Sequence, residues 1–205
     1  MARASRAVAD QHRTAIEQAS ARLFRQHGLH GVSVAQVMAD AGLTHGGFYG
    51  HFGSKDELAA VACARSFAEA NDRWQATARR AKGDVSSARR ELVERYLSAA
   101  HRDAAGHGCP ASAFASDVAR EPAGKPVREA YLDGLRQLID TWEAINTGAG
   151  ADAGPDAHRQ ALVQLATFVG AITLARATAG DGLSDEILDA ARAWLLDSTS
   201  NTVAG

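Results

Sequence analysis

Apolar residues recur at helical spacing along this chain, and the pattern is sharpest in its first third. Val34, Val37 and Met38 form one stripe at intervals of three to four residues, which predicts a short helix. Ser33 precedes this helix and Gln36 follows three residues later, the spacing of a capping box in which each side chain binds a backbone N–H group of the other residue. The stretch therefore predicts a helix that begins directly after Ser33.

A turn and two further helix starts follow within a few residues. Gly42 is placed where a left-handed backbone is needed, and glycine adopts that conformation at little cost. Thr44 is predicted to cap a second helix of six or seven residues. Ser54 and Glu57 have the spacing of another capping box, so a third helix is predicted to begin just beyond Phe52. Two short helices joined by a tight turn predict a helix-turn-helix, whose second helix lies in the DNA major groove.

The second helix has an unusual composition, with three glycines between Thr44 and Gly50 and no carboxylate. Each glycine costs about 1 kcal/mol in a helix relative to alanine, so we expect compensating packing by Leu43, Phe48 and Phe52. The glycines would leave room for a backbone or a base edge to approach. The alternative is a helical hairpin with a glycine-rich corner and no DNA-binding role. The residues that we expect at the DNA surface are Ser33, Gln36, Thr44, His45, Gly46, Gly47, Tyr49, His51 and Lys55.

Two stretches of this segment carry a resemblance to a known family. AGLTHGGFYGHFGSKDEL resembles the recognition segment of the TetR family of transcriptional regulators, and LFRQHGLHGVSVAQVMADAGL resembles that family's first helix, loop and second helix. The resemblance covers about residues 10 to 60. Met38 is a departure, since many members carry alanine there, and we interpret it as an adjustment of packing.

The resemblance implies an all-α fold with two parts. These are a three-helix DNA-binding head with a helix-turn-helix, residues 1–54, and a C-terminal helical bundle for effector binding and dimerisation, residues 55–205. It also implies a homodimer that binds a palindromic operator in double-stranded DNA. A small effector, whose identity is unknown, would release the DNA, and repression is the family's usual mode.

Beyond the resemblance, periodicity predicts helices through most of the remaining chain. The first helix is predicted at residues 10–27, after a disordered stretch 1–9, and a long one from 55 to about 80 is expected to link head and body. The later helices are predicted from Asp84 or Ser86 to residues 104–108, from Pro110 to about 119, from 122–126 onward, at 156–178, and at 184–197 with Ser184 as N-cap. A Gly/Ala/Asp loop is predicted at 148–155.

Charge and composition restrict the function classes. The formal net charge is −2, so the whole molecule is not a generic nucleic-acid binder. Residues 1 to 30 have a local excess of three positive charges, since they hold Arg3, Arg6, Arg13, Arg22 and Arg25 against Asp10 and Glu17. Of these arginines, Arg3 and Arg6 suit either a groove-reaching arm or a frayed tail. There is no apolar run of about 18 residues and no signal peptide, and two cysteines do not make a disulfide framework. We therefore expect a cytoplasmic protein without membrane association.

Candidate residues for the body follow from aromatic and apolar positions. For each aromatic residue, ordinary core packing is the simpler interpretation. The candidates for an effector pocket are Phe67, Trp74, Tyr96, His101, Cys109, Phe114, Tyr131, Trp142 and Phe168. The last two helices are apolar over a wide arc, which favours a dimer interface over burial within one monomer. The candidates for that interface are Leu165, Phe168, Ile172, Ile187, Leu188, Ala191, Trp194 and Leu195.

Cys109 allows two interpretations. It precedes a predicted helix start and has His101, Arg102 and His107 nearby in sequence, features that raise the reactivity of a thiol. It is then a candidate redox or electrophile sensor, and otherwise a small buried residue at a tight turn. His101, His107 and Cys109 do not have the spacing of a recognised metal site, and no nucleophile or phosphate-loop motif appears. We expect no enzyme activity, cofactor or metal, and a purely structural helical adaptor is the remaining alternative.

Overall fold

The computed structural model describes residues 2–148 and 154–197, and every regular element in these ranges is helical. The predicted all-α class is confirmed. The α-helices are α1 (Ala2–His27), α2 (Val34–Asp40), α3 (Lys55–Arg80), α4 (Val85–Tyr96), α5 (Ala99–Asp103), α6 (Pro110–Arg120), α7 (Pro126–Thr147), α8 (Pro155–Ala177) and α9 (Gly182–Asp197). Two 3-10 helices, His45–Gly50 and Ala105–His107, complete the described elements.

The chain packs as two compact units. The first unit consists of the residues up to Glu69 together with Gly106–Leu135, and the second of Ala70–Ala105 together with the residues from Arg136 onward. Helices α3 and α7 each contribute residues to both units. The predicted functional boundary after residue 54 concerns activity rather than packing, and it stays a prediction.

The first unit is built around large side chains that are fully removed from solvent. Its most buried members are Ile16, Phe24, Phe48, Phe52, Leu58, Phe67 and Phe114. Gly28 ends α1 with a left-handed backbone (φ +78°), as predicted. The next residue, Leu29, donates its N–H group to the Asp117 carboxylate at 2.7 Å, so the end of α1 is capped from α6. The Tyr131 hydroxyl donates to the Ala111 carbonyl at 3.0 Å and fixes α7 against the same helix.

The second unit has an aromatic core. Trp74 packs against Trp142 with ring centroids 5.7 Å apart, and Phe168 packs against Trp142 at 5.1 Å. The Trp142 indole donates to the Gln164 side-chain oxygen at 2.9 Å, which satisfies the one polar group that this buried ring carries. Helices α8 and α9 pack along each other and close this core.

The predicted start of α1 and the predicted end of α4 are wrong. Helix α1 begins at Ala2, so the disorder predicted for 1–9 is contradicted for the described residues 2–9, a run rich in the strong helix formers alanine and arginine. The helix predicted to continue to residues 104–108 stops at Tyr96, and Ser98 caps the short α5 by accepting the His101 N–H group at 3.2 Å. Side-chain bonds of this kind compete with helix continuation.

Ser184 is not an N-cap. Helix α9 begins at Gly182, and the Asp181 carboxylate accepts the Leu183 N–H group at 2.9 Å. Ser184 is buried, and its hydroxyl donates to the Ala175 carbonyl of α8 at 2.8 Å. A serine at this point therefore stabilises the α8–α9 packing, which is a tertiary role.

The predicted loop at 148–155 lies partly outside the described residues, which exclude 149–153. Gly148, the first residue of this predicted loop, has a left-handed backbone (φ +85°). Among the described residues, α8 alone is long and apolar enough to cross a membrane by length and composition, and core helices of soluble proteins meet the same criterion.

Candidate nucleic-acid interface

The helix-turn-helix begins with the predicted capping box. The Ser33 hydroxyl accepts the Gln36 N–H group at 3.2 Å, and the Gln36 side-chain oxygen accepts the Ser33 N–H group at 2.8 Å. Both residues are exposed. Because both bonds are local in sequence, α2 is held at its first turn independently of the rest of the chain.

A turn connects α2 to the segment that is predicted to bind DNA. Gly42 has φ +73°, which confirms the predicted left-handed turn, and Leu43 donates its N–H group to the Met38 carbonyl at 2.9 Å. The segment that follows, His45–Gly50, is a 3-10 helix rather than the predicted α-helix. Thr44 occupies the position before it but makes no side-chain capping bond, so that predicted role is wrong. We call His45–Gly50 the recognition segment.

Two buried phenylalanines fix the recognition segment from below. Phe48 and Phe52 are at most 1% exposed, and their rings stack with centroids 5.9 Å apart. The burial of both phenylalanines agrees with the packing predicted from the sequence, and Leu43 is partly buried.

Arg13 of α1 is a further anchor that the sequence analysis missed. Its guanidinium lies 4.3 Å from the centroid of the Phe52 ring, and it donates a hydrogen bond to the His51 carbonyl. A guanidinium over an aromatic face is a favourable cation–π arrangement. From the sequence, Arg13 is only one arginine of the basic N-terminus, because a contact with a residue 38 positions away leaves no local signal.

The opposite side of the recognition segment faces solvent. Tyr49 is 72% exposed, and Thr44, His45, Gly46 and Gly47 are exposed as well. A Cβ atom added at Gly46 meets no atom within 4 Å, and at Gly47 it makes only an ordinary contact of 3.7 Å with Met38. Nothing inside the described chain therefore requires glycine at these two positions.

His51 and Lys55 flank this exposed surface and are partly buried. The His51 ring lies edge-on to His12 with centroids 6.1 Å apart. The Lys55 ammonium is 6.0 Å from the Phe24 ring centroid, at the first residue of α3. Their placement beside the recognition segment suits contacts with a polyanion on that side.

The three carboxylates between Ser33 and Ala62 are engaged by other groups. Asp40 pairs with Arg22, and Asp56 accepts a hydrogen bond from Lys125 that raises the pKa of that lysine. Glu57 accepts the Gly53 N–H group at 2.8 Å. The second predicted capping box is therefore half correct, because Ser54 accepts the Glu57 N–H group at 3.1 Å while Glu57 binds Gly53 instead of Ser54.

The nine candidate pocket residues are divided between the two units. Four belong to the first unit, namely Phe67, Cys109, Phe114 and Tyr131, and five belong to the second, namely Trp74, Tyr96, His101, Trp142 and Phe168. The five form one packed cluster in which Tyr96 contacts His101 at 4.6 Å and Phe168 at 4.7 Å between ring centroids. A cavity of about 540 Å³ in the second unit is bordered by other residues, including Gln75, Asp84, Asp140 and Ile145.

His101 is the one histidine of this five-residue cluster, and its pKa is lowered. Burial, together with the positive charges of Arg176 and Arg73, lowers its pKa from 6.5 to about 4, against the effect of its hydrogen bond to the Tyr96 carbonyl. The ring nitrogen Nδ1 and that carbonyl oxygen are 2.7 Å apart, so Nδ1–H donates. The ring is therefore neutral near pH 7.

The dimer candidates divide by helix face. Leu165, Phe168, Ile172, Leu188 and Leu195 are at most 4% exposed in the single chain, so the alternative of burial within one monomer accounts for these five candidates. Ile187 and Ala191 are partly buried, and Trp194 is 49% exposed. The large exposed apolar residues of α8 and α9 are Leu162, Val163, Leu174, Leu183 and Trp194. Periodicity located the apolar helices, and it did not distinguish the inner face from the outer one.

Comparison with known proteins identifies the helix-turn-helix unit. Residues 16–62 match the family model described as bacterial regulatory proteins of the tetR family. These residues, which lie in the first unit, therefore form a TetR-type DNA-binding helix-turn-helix.

Solved structures agree over nearly the whole chain. The reduced form of NemR from E. coli has a TM-score of 0.73 at 20% identity, with 90% of this chain and 94% of NemR covered. A TetR-family regulator from Agrobacterium tumefaciens has a TM-score of 0.73 at 21% identity, covering 93% and 98%. One from Legionella pneumophila has a TM-score of 0.74 at 16% identity, covering 90% and 95%. At these identities the likeness shows the fold alone. No curated protein matches the chain.

Proposed function

We propose that this TetR-family protein is a cytoplasmic, ligand-responsive repressor that binds a palindromic operator as a homodimer and is not an enzyme. The observation that carries the proposal is the recognition segment, which is anchored by buried Phe48 and Phe52 and exposes glycines that nothing inside the described chain requires. A segment of this kind is suited to close approach by another molecule. A purely structural helical adaptor would not require an exposed, glycine-containing segment of this kind.

The exposed side chains divide into two roles. Thr44, Tyr49, His51 and Lys55 have hydroxyl, imidazole or ammonium groups that bind phosphate, and these contacts fix the register on the duplex. His45 and Gly47 lie at the exposed start of the recognition segment, where base edges are read. Ser33 and Gln36 are exposed, but their side chains are engaged in the capping box. We assign them to positioning of α2, with a DNA contact only as a secondary role.

A single recognition segment offers few base contacts, each discriminating by about 1–3 kcal/mol. Two heads related by a two-fold axis double these contacts and require a palindromic site. The exposed apolar faces of α8 and α9 support the homodimer, since Leu174 and Trp194 are 57% and 49% exposed.

The effector is proposed to bind in the second unit. The cavity of about 540 Å³ is the candidate site there, since the aromatic cluster is buried. An uncharged or aromatic molecule suits this cavity. Because binding linkage is reciprocal, an effector that weakens operator binding by a given factor is itself bound more weakly by that factor when DNA is present.

The test is a salt-dependent gel shift on DNA from the protein's own promoter region. Lys55→Ala is expected to weaken all DNA sequences alike and to reduce the slope of log affinity against log salt by about one, as removal of one phosphate contact does. Lys82→Ala is the matched control, because Lys82 is exposed in the second unit and should leave the slope unchanged. A change of sequence preference in Lys55→Ala would contradict its role, and no sequence-selective retardation of the wild type would contradict the function.

A second candidate for regulation is a thiol response at Cys109. Cys109 is the N-cap residue of α6, and its side chain is not used to cap that helix. The protein would then respond to an oxidant or an electrophile rather than to a reversibly bound effector. The same operator binding is required in either case.

A further inference from the structure

The first unit contains a polar cavity of about 430 Å³, separate from the cavity proposed for the effector in the second unit. Helix α1, the end of α2 and helix α3 supply most of its lining. The lining residues that carry or can carry a charge are Arg22, Arg25, Asp40, Arg65, Glu69 and His107. Three guanidiniums, each charged at any physiological pH, therefore border one cavity together with two carboxylates.

Arg25 is a buried cation in the wall of this first-unit cavity. Its side chain is 2% exposed, and its Nη2 donates to the Glu69 carboxylate at 3.0 Å. The other two nitrogens, Nε and Nη1, are buried and have no hydrogen-bond partner within the described chain. Burial of a charge is costly unless the charge is paired and its donors are satisfied. The guanidinium of Arg25 therefore has two donors left for a further acceptor.

The carboxylates that pair with Arg25 and its neighbours are shared among several arginines. Glu69 also accepts a hydrogen bond from Nε of Arg65 at 3.1 Å. Nη1 of Arg65 lies 3.6 Å from the Glu17 carboxylate, and Glu17 in turn accepts from Nε of Arg13 at 3.1 Å. These ion pairs join the three guanidiniums of Arg13, Arg25 and Arg65 to only two carboxylates. The group therefore has one positive charge in excess, which attracts an anion.

We propose that the first-unit cavity binds a small oxyanion of the phosphate type against the guanidiniums of Arg25 and Arg65. Planar guanidiniums bind phosphate oxygens through charge-assisted hydrogen bonds, and a polar cavity of this size holds such an ion together with water. The side chain of Arg65 is 27% exposed and meets the ion directly, whereas the buried nitrogens of Arg25 are reached after a side-chain adjustment. Arg22 and Asp40 pair with each other and leave the charge excess unchanged.

The same ion pairs reach the edge of the recognition segment. Arg13, at one end of them, donates to the His51 carbonyl and lies over the Phe52 ring. An anion bound to Arg65 weakens the contact of that arginine with Glu17, so Glu17 attracts Arg13 more strongly and away from the His51 carbonyl. Anion binding is therefore expected to weaken operator binding. This consequence rests on the proposed repressor function, whereas the anion site itself does not.

The probe is inorganic phosphate, titrated calorimetrically into the full-length protein without DNA and at an ionic strength held constant with chloride. The wild type is expected to bind phosphate with saturation. Arg65→Gln is expected to weaken this binding at least about tenfold, because a charge-assisted hydrogen bond is lost. Arg90→Gln is the matched control, since Arg90 also pairs with a glutamate one turn away, Glu94, but lies in the second unit. It should bind phosphate as the wild type does.

Glu69→Gln is expected to act in the opposite direction. This change removes the carboxylate that Arg25 and Arg65 share, so phosphate should bind at least about tenfold more tightly. Without phosphate, the thermal midpoint of the variant should fall, because Arg25 is then buried without a carboxylate. Saturating phosphate should raise that midpoint by more than it raises the midpoint of the wild type. If the ion pairs were merely structural, the midpoint would fall without this recovery.

Absence of saturable phosphate binding by the wild type would overturn the proposal, as would wild-type affinity in folded Arg65→Gln. If Glu69→Gln does not fold by circular dichroism, the comparison of Arg65→Gln with Arg90→Gln decides. Operator affinity that is the same in saturating phosphate as in chloride of equal ionic strength would overturn the link to DNA. Absence of operator binding in phosphate-free buffer would instead be a failure of the proposed repressor function, since the calorimetric titration involves no DNA.

Discussion

Gly42 and Gly46 lie four residues apart and meet different requirements. Gly42 has φ +73°, a backbone conformation that is unfavourable for residues with a Cβ atom. Gly46 does not have a left-handed backbone, and a Cβ atom added there would meet no atom within 4 Å. One glycine is thus required by the fold, whereas the other is free to serve a partner.

This difference gives a prediction for two matched variants. Gly42→Ala is expected to lower the free energy of unfolding by about 1–2 kcal/mol, while Gly46→Ala should leave it unchanged or slightly raise it. Gly46→Ala should nevertheless weaken operator binding at least about tenfold, because a methyl group then stands where a base edge or phosphate approaches. Urea unfolding and gel shifts measure the two quantities. Full operator affinity in Gly46→Ala would refute the close approach.

At the scale of elements, local contacts were predictable from sequence and distant ones were not. The Ser33–Gln36 box and the Gly28 stop were predicted correctly, because each depends on residues within one helical turn. Ser184 also has the sequence features of a cap, but its hydroxyl bonds to Ala175 in the preceding helix. The residues within one helical turn of Ser184 do not indicate that its hydroxyl binds a different helix.

The short helix α5 shows the same dependence on distant groups. Arg176 of α8 donates to the carbonyls of His101 and Arg102, each at 3.1 Å, and so satisfies the end of α5 from another helix. His101 donates back to the Tyr96 carbonyl at the end of α4. Helix α5 is five residues long, too short to be stable alone, and these bonds hold it in place.

His101 makes the stability of this region depend on pH. Its pKa is about 4 in the folded protein against 6.5 as the ordinary value, so between these values the unfolded chain binds a proton that the folded chain does not. The stabilisation is complete above about pH 6.5 and is lost as pH falls towards 4. We expect a loss of about 2 kcal/mol from this group between about pH 7.5 and about pH 5.

The measurement is urea unfolding of wild type and His101→Gln at both pH values. Glutamine keeps a donor for the Tyr96 carbonyl and does not titrate, so the variant should lose most of this pH dependence. An equal decrease in both proteins would show that other groups are responsible.

At the scale of the whole molecule, the outer faces of α8 and α9 expose large apolar side chains. Leu174 and Trp194 are exposed there, while their neighbours Ile172 and Leu195 are fully buried. The dimer that the family resemblance implies would cover the outer residues. The sequence favoured a dimer but assigned it largely to the inner face, because both faces of each helix are apolar.

Leu174→Asp and Trp194→Asp are expected to raise the dimer dissociation constant at least about 100-fold, since loss of a central apolar contact costs about 2–4 kcal/mol. Leu132→Asp is the matched control, being 45% exposed on α7 in the first unit. Sedimentation velocity over a concentration series measures the constant. Dimers that persist in both variants at wild-type strength would place the interface elsewhere.

The capping of α1 by Asp117 has a consequence for protein engineering. The residues that are proposed to contact DNA all precede residue 62, where the match to the family ends. The Leu29 N–H group and the Asp56 carboxylate nevertheless bind Asp117 and Lys125, which come much later in the chain. A head cut after residue 62 would lose both partners and also the buried side chains of Phe67 and Phe114, which belong to the same unit. Exchanging operator specificity with a TetR-family regulator would therefore require transplanting residues 106–135 together with the N-terminal segment.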